Sequence, residues 1–264
     1  MPRHLRRSLL VCATAGLPAL AGHAQGVAWL PEAGLRLAAI RYSKTEPQFK
    51  WSGWIGGGLG LLRVGRATLR VDTDVETIIG NEQRTFDANQ ANYHLEAGAR
   101  AALGAYQAQL FYHHVSRHSE DRAKTQAVDW NILGVRLGRR FDGYVPVRVL
   151  VGVGQTTQVS LVGYEWELTG RVQAELPVHV GGEGADGGAL YGDADLRYVQ
   201  AHASPEFPRD SFLDARFEGG LRLRRAARRA ALFLAFERRN DVFLLEPGAR
   251  SRLLIGLRLG LADD

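Results

Sequence analysis

Segments of about ten residues that alternate apolar with small or charged side chains follow one another along most of this chain, a pattern typical of membrane-spanning strands. The last segment shows the pattern most clearly. One of its faces holds Leu253, Ile255, Leu257 and Leu259, and the other holds Leu254, Gly256, Arg258 and Gly260. Because side chains of a strand point alternately to two faces, each segment is predicted to be a strand with one strongly apolar face.

The segments form six predicted pairs. They cover residues 33–42, 51–62, 67–77, 92–103, 105–117, 128–139, 144–155, 164–176, 189–200, 211–223, 230–239 and 251–261. Four connections between pairs are tight, over residues 63–66, 104, 140–143 and 224–229, whereas the connections within a pair are longer and more polar. Barrels of the bacterial outer membrane have short turns at the periplasmic rim, long loops outside and an even number of strands. The sequence therefore predicts an all-β fold, an antiparallel transmembrane β-barrel of about 12 strands.

The first 24 residues have the features of a cleavable export signal. Arg3, Arg6 and Arg7 precede a short apolar stretch, and small residues at Gly22 and Ala24 suit signal peptidase. The apolar stretch is too short for a helix that spans a bilayer. We expect cleavage after Ala24, which leaves residues 25–264 as one barrel domain in the outer membrane of a Gram-negative bacterium.

Removal of this signal changes what the net charge implies. The formal charge of the 264-residue chain is +5, but three of its 33 basic residues lie in the signal, so 30 basic residues stand against 28 acidic ones. So small an excess predicts no nucleic-acid partner. Cys12, the one cysteine, is removed as well, which excludes disulfides and thiolate metal sites from the mature chain.

The small and charged residues opposite the leucines are predicted to line a narrow polar lumen. A charge such as that of Arg258 costs roughly 2–4 kcal/mol when it faces lipid at mid-bilayer. It is therefore expected to point inward, among Arg–Glu pairs that cross the lumen. Aromatic girdles at the two membrane interfaces are expected from the tryptophans near strand ends: Trp29, Trp51, Trp54, Trp130 and Trp166.

One polar stretch, at the end of the fifth segment, could carry chemistry. His114 and Ser116 share the parity of the lipid-facing residues, so they are predicted to project outward near the outer rim. Asp129 and Asn131 on the next segment are predicted to face the same way. A histidine can accept the proton of a serine hydroxyl, and a third carboxylate or amide group can fix the tautomer of the ring.

This hairpin resembles the outer-membrane lipid hydrolases, namely the phospholipase A and lipid A 3-O-deacylase families, which carry a His-x-Ser pair on the outer wall of a barrel. The resemblance implies His114 as the base, Ser116 as the nucleophile and either Asp129 or Asn131 as the orienting residue, with no cofactor. This chain departs from those families after the serine, where Arg117-His118 stands in place of asparagine and a small residue.

A second resemblance spans most of the predicted barrel. The chain is similar to uncharacterised exported barrel proteins near the domain-of-unknown-function class numbered 1207, and this resemblance implies a twelve-stranded fold without an established activity. The shared stretches are Asn89-Gln90-Ala91-Asn92-Tyr93-His94-Leu95-Glu96 and His113-His114-Val115-Ser116-Arg117-His118-Ser119-Glu120-Asp121-Arg122.

Three functions remain open from the sequence. The first is a structural or binding barrel with a narrow polar lumen, which contacts membrane lipid and lipopolysaccharide and is inserted by the outer-membrane assembly machinery. The second is a serine lipid hydrolase, an esterase or deacylase, that uses the outward-facing His-x-Ser pair. The third is a pore for small solutes.

A metal site in the same polar stretch is a further alternative. Imidazole and carboxylate groups suit zinc, and the stretch holds His113, His114, His118, Glu120 and Asp121. However, His114 and His118 would lie about 13 Å apart on an extended strand at roughly 3.3 Å per residue. We therefore predict no metal there.

Overall fold

Twelve antiparallel strands close into one barrel. The computed structural model describes residues 26–82, 84–119, 128–178, 187–203, 208–240 and 248–262; the predicted signal, residues 1–24, lies outside them. The strands are β1 (Val27–Glu46), β2 (Phe49–Val64), β3 (Ala67–Gly80), β4 (Asp87–Leu103), β5 (Tyr106–Ser119), β6 (Val128–Phe141), β7 (Val147–Ser160), β8 (Tyr164–Val178), β9 (Gly187–Ala201), β10 (Ser211–Arg225), β11 (Arg228–Asn240) and β12 (Ala249–Ala262). Each strand pairs with the next in the chain, and β1 closes the ring against β12. The predicted fold class is confirmed.

Short connections are more frequent at one rim of the barrel than at the other, where residues 47–48 and 161–163 form short ones. Four connections at one rim are short, over residues 65–66, 104–105, 142–146 and 226–227. The beginning of β1 and the end of β12 lie at this same rim. Since outer-membrane barrels have short periplasmic turns, we refer to this rim as periplasmic and to the opposite rim as extracellular. Across the described parts of the chain, no helix has the length and apolarity that a membrane span requires.

Several strands differ from their predicted ends. β5 continues to Ser119 instead of residue 117, and β7 continues to Ser160 instead of residue 155. The connection after β7 is therefore reduced to residues 161–163, where the sequence predicted a loop over 156–163. β7 begins at Val147, not at residue 144, because Pro146 has no N–H to donate to a ladder.

The apolar face of each strand points away from the lumen. On β12, Leu253 is 61% exposed, whereas its neighbour Leu254 is 3% exposed. On β6, Leu133 and Val135 are likewise exposed, and Gly134 between them is buried. Large apolar side chains are normally buried in soluble proteins, so rows of exposed leucines around the ring are those of a wall that faces lipid.

Ion pairs cross the lumen. Arg239 on β11 donates two hydrogen bonds to Glu76 on β3, at 2.8 and 2.7 Å, although three strands separate the two along the wall. Arg136 pairs in the same way with Glu96, two strands away, at 2.6 and 2.8 Å. These are the Arg–Glu pairs that the sequence predicted. They let charged side chains fill the interior without facing lipid.

Two glycines make room for phenylalanine rings inside the barrel. Gly256 lies opposite Phe233 in the β11–β12 ladder, and Gly134 lies opposite Phe111 in the β5–β6 ladder. A Cβ atom at residue 256 would come within 2.2 Å of the Phe233 ring, and one at residue 134 within 2.5 Å of the Phe111 ring. In the structure, the Arg136 guanidinium lies 3.6 Å from the centre of the Phe111 ring, which is a cation–π contact. The lumen face is thus a packed interior of rings, arginines and carboxylates.

The predicted aromatic girdle is wrong for two of the five tryptophans. Trp54 and Trp130 face the lumen, where Trp54 stacks on His94 with ring centres 6.0 Å apart and Trp130 belongs to a buried aromatic cluster. Trp29, by contrast, is 77% exposed beside the periplasmic rim. Proximity to a strand end does not distinguish the two faces, and only the parity of the residue along its strand decides between them.

Candidate lipid-facing active site

The four predicted site residues lie together on the outer wall, near the extracellular rim. His114 is the ladder partner of Asn131, and Ser116 is the ladder partner of Asp129. Val115, between the first two in sequence, is 2% exposed and points into the lumen, so His114 and Ser116 point outward. Directly opposed Cβ atoms lie about 4.5–5.5 Å apart. The four side chains therefore form one polar patch on an otherwise apolar surface.

The His114 ring is oriented by an amide. Its Nδ1 lies 2.6 Å from Oδ1 of Asn131, and Nδ2 of Asn131 donates to Oε1 of Gln158 at 3.0 Å. Because the amide nitrogen is engaged by Gln158, the amide oxygen accepts the N–H of the imidazole. A neutral imidazole with its proton on Nδ1 has its lone pair on Nε2. His114 is thus held in the tautomer that can accept a proton at Nε2.

The Ser116 hydroxyl contacts a different histidine. Its Oγ lies 2.5 Å from Nε2 of His118, which is two residues further along β5. When this ring nitrogen is unprotonated, the hydroxyl donates to it at the short end of the hydrogen-bond range. A serine hydroxyl that donates to an imidazole has the geometry of a nucleophile and its base. The sequence placed His118 in a loop, but the extension of β5 to Ser119 brings it to the same face as Ser116.

Tyr93 is a residue of this patch that the sequence analysis missed. It is the β4 ladder partner of Ser116, and its ring meets the His118 ring edge-on, with centres 5.5 Å apart. The contact holds one side of the imidazole on the outer wall. Parity along β4 predicts an outward Tyr93, so this residue could have been found from the pattern alone.

Gln158 is the second missed residue, and the alternating pattern gives no signal for it. The β6–β7 ladder pairs Asn131 with Gln158 and Ile132 with Thr156, so Thr157 is bulged out of the register. A β-bulge re-aims the side chains that follow it. Here it places the Gln158 amide beside Asn131.

The wall behind the patch is packed with aromatic side chains. Val115, Trp130 and Tyr164 belong to one buried hydrophobic cluster on the lumen side. The Arg117 guanidinium, which lies between Ser116 and His118 in sequence, sits 5.0 Å from the centre of the Trp130 ring. Polar side chains on a rigid, well-packed support keep their geometry better than those on loops.

The candidate metal ligands do not lie on one face. His113 faces the lumen, where its Nε2 is 3.4 Å from Nδ1 of His94, whereas His114 and His118 face lipid. Within the described ranges, no group of three or more His, Cys, Asp and Glu side chains is arranged to hold a metal ion. Glu120 and Asp121 lie outside the described residues.

Comparison with known proteins gives the fold. No protein-family model matches the chain, and no curated protein matches it in sequence. It is similar in structure to LpxR from Salmonella typhimurium, with a TM-score of 0.52, 10% identity, and coverage of 86% of this chain and 99% of that one. It is also similar to the Salmonella typhi outer membrane phospholipase (OMPLA) dimer with bound calcium, with a TM-score of 0.51, 13% identity, and coverage of 89% and 91%.

At these identities the likeness concerns the fold alone. The chain has the fold of outer-membrane β-barrels, a group that includes a phospholipase. The resemblance to uncharacterised exported barrels near class 1207 stays a prediction, since no family model matches.

Proposed function

We propose that the chain is an outer-membrane serine hydrolase that cleaves acyl ester bonds of lipids at the extracellular side of the membrane. The observation that carries this proposal is the 2.5 Å contact between Oγ of Ser116 and Nε2 of His118 on the lipid-facing wall. Polar groups against lipid are costly unless they are hydrogen-bonded. A serine–histidine pair at this depth is placed where the ester groups of a membrane lipid lie. The shared fold with an outer-membrane phospholipase also supports it.

His118 is the base of the first step in this proposal. Its Nε2 accepts the hydroxyl proton as Oγ of Ser116 attacks the acyl carbonyl carbon. The bond between that carbon and the alcohol oxygen breaks, and the imidazolium returns the proton to the departing alkoxide. Asp129, the ladder partner of Ser116, is the other candidate for the orienting residue.

His114 serves the second step, in which the acyl-serine is hydrolysed. Its Nε2 carries the lone pair because Nδ1 is bound to Asn131. A water molecule gives a proton to this nitrogen and attacks the acyl carbon, which releases the fatty acid; the serine oxygen leaves with the proton from His114. Ser116 thus lies between two imidazoles, one two residues before it and one two residues after it. The family resemblance alone assigned the first of them as the only base.

The setting of this activity is also part of the proposal. Residues 1–24 act as an export signal that is cleaved after Ala24, and the assembly machinery inserts the barrel into the outer membrane of a Gram-negative bacterium. The polar patch then faces membrane lipid and lipopolysaccharide directly.

A structural or lipid-binding barrel without chemistry is the second candidate. It is favoured by the lumen, where pairs such as Arg239–Glu76 cross from one side to the other. Such an interior makes the barrel a solid scaffold and counts against a pore for small solutes.

Fatty-acid release by the purified full chain tests the hydrolase. Vesicles of phosphatidylethanolamine and micelles of lipopolysaccharide serve as separate substrates, and mass spectrometry measures the free acid. We expect release from at least one of them, and Ser116→Ala should reduce it to background. The control is Ser251→Ala on β12, an exposed serine away from the patch, which should keep full activity. If the wild type released no fatty acid, or if Ser116→Ala released as much as the wild type, the proposed hydrolase activity would be contradicted.

A further inference from the structure

A groove of about 660 Å³ lies on the outer wall, away from the polar patch. This volume falls within the roughly 300–1,000 Å³ typical of small-molecule sites. Alanines on β4 and β5 leave the wall low, and larger apolar side chains rise beside them. We call this depression the alanine groove; it extends across the wall from β4 to β8, and its lining includes Ala99, Ala101, Ala108, Leu110, Leu137 and Val151.

The ladder register places the alanine groove in the periplasmic half of the barrel. Ala108 pairs with Ala101 on one side and with Leu137 on the other, two residues above Tyr106 at the start of β5. At about 3.3 Å per residue, this row lies roughly 7 Å along the strand from the periplasmic turn, and the row of Leu110 lies roughly 13 Å from it. The groove is therefore at the depth of acyl chains from the inner leaflet.

One cation stands at the periplasmic end of the groove, on the same outer face. Arg139 is two residues beyond Leu137 on β6 and donates from Nη1 to the Tyr106 hydroxyl at 3.1 Å. Its guanidinium lies 5.1 Å from the centre of the Tyr106 ring and 4.7 Å from that of Phe141. The two rings hold the cation at the membrane interface. A guanidinium has further N–H donors, which suit a phosphate group.

We propose that the alanine groove binds an acyl chain of an anionic phospholipid of the inner leaflet, whose phosphate is held by Arg139. Any occupant must present an anion at Arg139 and a slender apolar segment directly above it. A phospholipid has both in this order. A second copy of the barrel would instead present a wall of leucines and valines, which offers no anion to Arg139.

The inferred site is independent of the proposed hydrolase. The alanine groove begins four residues below His114 along β5, at Leu110, and extends toward the opposite rim. Failure of one activity would leave the other untouched.

Native mass spectrometry of the full chain tests the lipid site. The protein is equilibrated in micelles with equal amounts of phosphatidylglycerol and phosphatidylethanolamine, and the retained lipid is counted. The wild type should retain phosphatidylglycerol preferentially. Arg139→Gln should lower its retention about 10-fold, since one charge-assisted phosphate contact is lost. Ala108→Phe should fill the groove and lower the retention of both lipids.

Two control variants separate this site from general lipid contact. Arg228→Gln alters another exposed arginine at the periplasmic end, on β11, and Ala215→Phe enlarges a side chain of the wall on β10. Both should retain lipid as the wild type does. Unchanged retention in Arg139→Gln and Ala108→Phe would overturn the proposal. The proposal would also be overturned if the protein were a dimer that Ala108→Phe dissociates while the amount of retained lipid stays unchanged. The groove would then be an interface between two copies.

Discussion

Oγ of Ser116 lies 2.5 Å from Nε2 of His118, a contact between two residues of the same strand and the same face. If His118 takes the serine proton, His118→Ala should lower the rate of ester cleavage by about 10²–10⁴-fold, the usual contribution of a general base. The rate of fatty-acid release in detergent micelles measures this loss. His202→Ala, which alters an exposed histidine outside the patch, should leave the rate unchanged. Wild-type activity in His118→Ala would remove His118 from the mechanism.

His114 and Asn131 should act as one unit in the second step. Without either of them, the water molecule that attacks the acyl-serine loses its oriented acceptor, so the acylated enzyme should accumulate. With a p-nitrophenyl ester, His114→Ala and Asn131→Ala should each give a burst of nitrophenol followed by a turnover slowed by up to about 10²-fold. The double variant should be no slower than either single variant, because residues of one hydrogen-bonded pair are not additive.

The same kinetics distinguish the two histidines. If His114 were the base of the first step, as the family resemblance implies, His114→Ala would lose the burst together with turnover. In that case the contact between Ser116 and His118 would be a resting arrangement of the free enzyme.

Gly256 should tolerate no side chain. A Cβ atom there would come within 2.2 Å of the Phe233 ring, so Gly256→Ala should lower the free energy of unfolding by about 1–3 kcal/mol through overpacking. Urea unfolding in detergent micelles, followed by tryptophan fluorescence, measures it. Gly192→Ala is the matched control, because nothing lies within 4 Å of the added atom. Equal stability of both variants would show that the ring moves freely, contrary to a packed lumen.

The wild-type barrel should not conduct ions steadily. Arg239 on β11 and Glu76 on β3 are joined through the lumen, and the buried Phe233 ring packs inside the lumen against Gly256. Planar-bilayer recordings should therefore show no stable open level. Triple replacement of Arg239, Glu76 and Phe233 by alanine should create one. A steady ohmic conductance of the wild type would instead support the hypothesis that the barrel is a pore for small solutes.

The fold could be predicted from the sequence because a wall with lipid outside and polar groups inside requires apolar and polar side chains to alternate strictly along each strand. Leu253, Ile255 and Leu257 mark the outer face without ambiguity, and the parity of His114 and Ser116 follows from the same rule. The alternation defines strand ends less well, since a strand can continue beyond the membrane wherever a neighbouring strand provides backbone hydrogen bonds. The alternation therefore predicts that β5 ends at residue 117 and that His118 lies in a loop, two residues short of the observed end at Ser119.

The particular partners of the contacts inside the lumen, and the contacts at irregular positions, could not be predicted in this way. Nearness to a strand end favours a girdle for Trp54 and Trp130, although the parity of both residues along their strands places them in the lumen. The bulge at Thr157, which brings Gln158 to Asn131, depends on how two ladders meet and leaves no mark in the alternation. The alanine groove likewise depends on how far the larger apolar side chains of β6 to β8 rise beside the alanines of β4 and β5, which the alternation does not show.

Covalent labelling with a fluorophosphonate tests the central claim most directly, because this reagent phosphonylates a serine only where a base activates the hydroxyl. The purified chain is treated in micelles, digested and analysed by mass spectrometry. The proposal predicts one modified residue, Ser116, with labelling lost in His118→Ala and kept in Ser251→Ala. An unlabelled Ser116 in the folded wild-type barrel would contradict an activated nucleophile on the lipid-facing wall.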